Sequence, residues 1–180
     1  MDITADTSGS NGREALAARL ARNADGVLEQ VAREYGVSTF EVVRNLKAEQ
    51  RFIVAGDRFA EILSDLATWG EVLFLVHTPD IVLECTGTIP AGSFGHGYFN
   101  LHGDSPIGGH IRADHCSHIV FVARPFMGRA SRSIQFFNAA GEAMFKVYVR
   151  RDKARELMSE QVARFDALRA RCSEAAEASS

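Results

Sequence analysis

Every histidine of this chain lies between His77 and His118, six in all. Imidazole titrates near neutral pH and is the commonest nitrogen ligand for metals. Their surroundings read as β-sheet, so strand alternation sorts them by face. His96, Tyr98, Asn100 and His102 share one face, with Phe99 and Leu101 on the other. His110 shares a face with Arg112, opposite Ile111. Asp114, Cys116 and His118 form a third set, given a strand that starts early enough. His77 ends its strand just before Pro79.

Several chemistries use such residues. Histidines on a half-solvated sheet are ordinary surface or satisfied core residues. Zinc takes thiolate, imidazole and carboxylate, all present in Asp114, His115, Cys116 and His118. The spacing is poor, because His115 points away from its neighbours in a strand. Haem needs an imidazole for iron, an apolar slot, and cations for two propionates. His77 or His110 supplies the first; Phe99, Phe126 and Met127 supply walls; Arg112, Arg124, Arg129, Arg132 and Lys146 supply charge. A solvated face explains the arginines equally well.

The elements that must position these groups follow from periodicity. Residues 13–23 and 26–34 read as helices, the second ending at Tyr35-Gly36. Ser38 starts another, with Glu41 as a capping-box partner. VLEQVAREYGVSTFEVVRNL, residues 27–46, has helix-turn-helix spacing, which opens a DNA-binding reading. Its second helix offers little positive charge to phosphates. Residues 57–69, capped by Asp57, place Phe59, Ile62, Leu63, Leu66 and Trp69 on one apolar face. From Glu71 the period shortens to that of strands. About seven strands follow, joined by short turns, which predicts an antiparallel sheet. Pro90 to Gly97 reads as a turn, and Asn138 to Gly141 as a hairpin turn. Asp152 caps a last helix, with Leu157, Met158, Gln161, Val162, Phe165 and Leu168 on one side. The expected fold is α+β: N-terminal helices, a central antiparallel sheet of about seven strands, one long C-terminal helix. The expected organisation is a disordered tail over 1–12, one domain over 13–172 and a frayed tail over 173–180.

Bulk properties narrow the classes. A net charge of -3 gives no general attraction for nucleic acid or anionic membranes. Three cysteines without a CxxC pair suit a reducing cytosol rather than a disulfide framework. No apolar leader and no membrane-length apolar run are visible, so the expected location is cytoplasmic, without membrane insertion.

Several long segments carry a resemblance. WGEVLFLVHTPDIVLECTGTIPAG, HGYFNLHG, GGHIRADHCSHIVFVARPFMGR, SIQFFNAAGEAMFKVYVRRD and EQVARF resemble cytosolic haem-utilisation proteins of the HutX/ChuX type. VAREYGVSTFEVVRNL is similar to that family too, so the match spans about residues 25–168. The resemblance implies an intracellular haem carrier with a fold similar to one half of the two-repeat haem-degradation proteins, paired as a homodimer. It implies iron ligation by His77, in the VHT-D motif, and by His110, in GGHI. His96 and Arg112 join them as candidate haem-binding residues, and no catalytic residue is expected. Donor and acceptor proteins for haem are the implied partners, with no nucleic acid. A haem-degrading enzyme and a helix-turn-helix DNA-binding protein stand as alternatives.

Overall fold

The structure, a computed structural model, describes residues 7–178, with side chains described for 12–175. The rest of the two expected tails, residues 1–6 and 179–180, lies outside the described residues. Helices α1 (Thr7–Arg22), α2 (Leu28–Tyr35) and α3 (Thr39–Arg44) come first. Strand β1 (Arg51–Ala55) and helix α4 (Phe59–Leu66) follow. Then come β2 (Glu71–His77), β3 (Val82–Thr88), β4 (Gly92–Gly95), β5 (Tyr98–Leu101) and β6 (Gly109–Ile111). Strands β7 (Cys116–Phe126), β8 (Arg129–Asn138) and β9 (Ala143–Tyr148) lead to α5 (Ser159–Ala178).

The strands form an antiparallel six-stranded sheet, in the order β1-β7-β8-β9-β2-β3, and a small sheet β4-β5-β6. The α+β reading holds, but the described residues form nine strands where about seven were expected. The additional ones are β1 and β4. β1 is five residues long and follows directly on a 3-10 turn. β4 is GSFG, whose glycines read as a turn. Gly92 is needed there because the Phe99 ring lies over it: a Cβ would stand 2.0 Å from Phe99 Cε1.

Two helix starts also differ. Asp57 sits in a 3-10 turn, and α4 begins at Phe59 with no side-chain cap. Asp152 accepts the Glu156 N–H through Oδ1 and closes a turn, so α5 starts only at Ser159. A carboxylate before an apolar run can cap a helix or bond to a local turn, and Asp152 took the turn. Ser38 does cap α3, its Oγ accepting the Glu41 N–H at 3.1 Å.

The central strands of the large sheet are covered on both faces. On one, α4, α5 and the small sheet enclose Phe59, Phe99, Phe121, Phe136, Phe145 and Phe165. On the other, α1 to α3 pack through Leu16, Leu20, Leu28, Val31 and Val42 onto Val120, Val122 and Phe137. Burying each such side chain favours folding by ~2 kcal/mol, the dominant favourable contribution here. Gln161 of α5 locks the layers: it accepts the Arg150 N–H and donates to Trp69 O and Glu71 O.

Candidate functional site

Alternation along β2 decides the geometry of the candidate ligands. Leu73, Leu75 and His77 point to the α2 face and line one cavity, of about 430 Å³. Phe74 and Val76 point the other way and line a second, of about 360 Å³, beneath the small sheet. His110 lines the second cavity. His77 and His110 therefore stand on opposite faces of the six-stranded sheet, and one chain does not bring both to one iron.

The first cavity lies between the N-terminal end of α2 and strands β8, β9, β2 and β3. Leu28, Leu73, Leu75, Val82, Phe126 and Leu157 give it apolar walls. Arg124, Lys146, Arg150 and Arg151 line it with four cations against the two carboxylates Glu29 and Glu84. His77 Nδ1 stands 3.3 Å from Glu29 Oε2. Glu29 Oε1 pairs with the ammonium of Lys146, a side chain only 3% exposed. Burial pushes the Glu29 carboxyl up, but Lys146, the Glu29 backbone N–H and His77 outweigh it and hold it below its ordinary value. Burial lowers Lys146, which Glu29 opposes. Burial also pushes the Tyr148 phenol up to about 12, so it stays protonated at neutral pH.

The chain holds α2 over this cavity by a reciprocal latch. Arg124 donates to Ala24 O at 2.7 Å and Gly26 O at 2.8 Å. Asp25 accepts the backbone N–H groups of Met127 and Gly128 at the β7–β8 hairpin tip, both at 2.7 Å. The Gly128 bond is the largest of the effects that hold Asp25 below its usual value.

His110 is prepared differently. Asn100 and His110 face each other across β5 and β6, and His110 Nδ1 lies 2.6 Å from Asn100 Oδ1. Asn100 Nδ2 donates to Ser93 O, Gly95 O and Tyr98 O. Those three carbonyls fix the amide, so Oδ1 faces the ring and Nδ1 must carry the proton. In the neutral ring Nε2 then keeps its lone pair, the state a metal ligand needs. The walls here are Phe74, Val76, Leu83, Ile107, Ile111 and Met144. Among the described residues lining it Arg112 is the one arginine or lysine, and it pairs with Asp114 at 2.7 Å.

Other sequence candidates stand apart. His96 is exposed in the β4–β5 turn, with φ 52°, and lines neither cavity. Phe99 is not a wall but a buried core ring, edge-on to Phe59. Arg132 is engaged with Asp166 of α5. The zinc set does not converge. A bulge between Cys116 and His118 sends the thiol into the α4/α5 core, while His118 stacks on Phe40 at 4.3 Å on the far face. Burial pushes the Cys116 thiol up to about 11, so it is no thiolate at neutral pH. Among the described residues no group of three or more His, Cys, Asp or Glu could hold a metal ion. The helix pair α2–α3 exists, with Gly36 left-handed in its turn. The N-terminal end of α3 is packed on the β8–β9 turn, Phe40 N–H donating to Gly141 O, which closes the end a recognition helix would insert.

Comparison with known proteins decides the family. The model of the haem utilisation ChuX/HutX family matches residues 52–168. The chain belongs to the ChuX/HutX family. It is 39% identical over 139 residues to the intracellular heme transport protein HutX of Vibrio cholerae, covering 77% of this chain and 72% of that one. A protein of Agrobacterium tumefaciens has the same fold, with a TM-score of 0.86 and 42% identity over 96% of this chain and 98% of its own. The heme binding protein ChuX superposes with a TM-score of 0.80 and 44% identity, covering 86% of this chain and 97% of its own. Heme-binding PhuS of Pseudomonas aeruginosa shares only the fold: TM-score 0.66, 14% identity, 93% of this chain on 49% of that chain. This ChuX/HutX chain thus matches about half of a larger relative, as the resemblance implied.

Sequence reasoning missed Glu29, Asn100 as a partner of His110, and Tyr148, Arg150 and Arg151. Asn100 and His110 could have been paired from the register of two strands joined by residues 102–108. Nothing local to Glu29 signalled a place beside a strand residue 48 positions on.

Proposed function

We propose that this ChuX/HutX protein is a haem carrier of the cell interior that holds imported haem in solution and passes it on. One observation carries the reading: a single cavity joins the His77 imidazole, apolar walls and a cationic rim. The tetrapyrrole plane suits Leu73, Leu75 and Phe126, and iron suits His77 Nε2, the nitrogen that Glu29 does not face. Arg151 lines the same cavity and suits a propionate, bidentate guanidinium–carboxylate pairs being the strong kind; Arg150 beside it is paired with Glu71.

His110 and Arg112 make a second imidazole–cation pair on the opposite face. Ligation of one iron by both histidines needs a second copy of the chain, which fits a homodimer. The outer strand β3 and the residue before it offer a surface for it, since Ile81, Val82 and Leu83 are all more than half exposed. Haem-donating and haem-accepting proteins are the remaining partners.

Transfer of ferric haem from the loaded protein to apomyoglobin tests the carrier reading. Intact haem is expected in myoglobin, and its degradation in the presence of ascorbate and catalase would instead support an enzyme.

A further inference from the structure

The site contains a carboxylate whose position exceeds what an ion pair requires. Glu29 is the second residue of α2, and its side chain is 11% exposed. Burying a carboxylate is costly unless it is paired. Lys146 supplies the pairing through one oxygen, Oε1. The other, Oε2, faces His77 Nδ1 at 3.3 Å. His77 comes from a different layer, at the C-terminal end of β2, so the contact is made only in the folded chain. The latch of Arg124 and Asp25 fixes the start of α2 and with it Glu29.

Resting on the haem reading above, we infer that Glu29 is the positioning residue of the haem site, holding His77 with its proton on Nδ1 and its Nε2 lone pair free for iron. A neutral imidazole carries one proton, and beside a carboxylate that proton sits on the nitrogen facing it. An outer-shell carboxylate fixes ring orientation and raises ligand basicity. A more basic axial imidazole favours ferric over ferrous iron, because outer-shell hydrogen bonding tunes haem potential. Lys146 shares the carboxylate and draws charge from it, so the ligand is strengthened without becoming a full imidazolate.

Two measurements test this. In the haem-free protein, nitrogen-15 spectra of the neutral His77 ring are expected to show Nδ1 protonated and Nε2 bare; an Nε2–H tautomer overturns the inference without any variant. In the haem-loaded protein, Glu29→Gln is expected to weaken ferric haem binding about 10-fold. It is also expected to lower the ferrous iron–histidine stretching frequency and move the midpoint potential to more positive values. If Glu29→Gln leaves stretch and potential unchanged while His77→Ala abolishes the stretch, Glu29 is only a structural partner of Lys146. If His77→Ala changes nothing either, the haem reading at this cavity itself fails.

Discussion

Asn100 Oδ1 stands 2.6 Å from His110 Nδ1 and accepts a hydrogen bond from its N–H, directly across β5 and β6. Three backbone carbonyls hold the amide in that orientation. Replacing Asn100 by Leu removes the acceptor and frees the ring. The His110 nitrogen-15 spectrum should change from one tautomer to a mixture, while the fold, read by circular dichroism, is kept. A single unchanged tautomer would show that Asn100 does not control it.

Because His77 and His110 lie on opposite sheet faces, their substitutions act independently in an isolated chain. A double-mutant cycle of His77→Ala and His110→Ala on haem affinity should give a coupling below ~0.5 kcal/mol at low protein concentration. Coupling that grows with protein concentration would mark a second copy supplying His110. Large coupling at every concentration would contradict the separation of the two cavities.

The buried pair Glu29–Lys146 makes a stability prediction. Lys146→Met leaves a buried carboxylate without its cation and should cost ~3–5 kcal/mol, read by urea unfolding of the haem-free protein. Adding Glu29→Gln removes that carboxylate and should recover much of the loss. The pH dependence has a definite sign. Glu29 is held below the ordinary carboxylate value in the folded chain, so its contribution is fully present above that ordinary value. It is lost as pH falls through the lower folded value. In the double variant Glu29→Gln/Lys146→Met this part of the acid-side loss should vanish.

Gln161 satisfies three backbone groups at the junction of α5 with β2 and β9. Gln161→Ala strands them away from water and should destabilise the protein by ~1–3 kcal/mol, a fall in Tm of several degrees in a thermal scan. No change would mean that water enters the junction freely.

The layers were legible in the sequence because burial imposes periods. Phe59, Ile62 and Leu66 declared α4, and the change to two-residue alternation after Glu71 declared the sheet. Strand β4 was not legible, because Gly92 is there to admit the Phe99 ring from another strand. The shared face expected for Asp114, Cys116 and His118 failed at a bulge, which adds one residue and exchanges faces. His77 and His110 were recognisable as candidates, but their separation depends on which way the end of β2 faces once α2 covers it. Glu29 belongs to a segment read for its helical period and helix-turn-helix spacing, and its charge acquires meaning only beside Lys146 and His77.

The most direct measurement is a hemin titration followed in the Soret region, run on the unaltered protein and on His77→Ala. Saturable uptake by the unaltered protein, weakened about 10-fold or more with an altered band in His77→Ala, is the outcome expected of a haem site beside Glu29 and Lys146. Absent saturation, or identical curves and spectra for the two proteins, would contradict it.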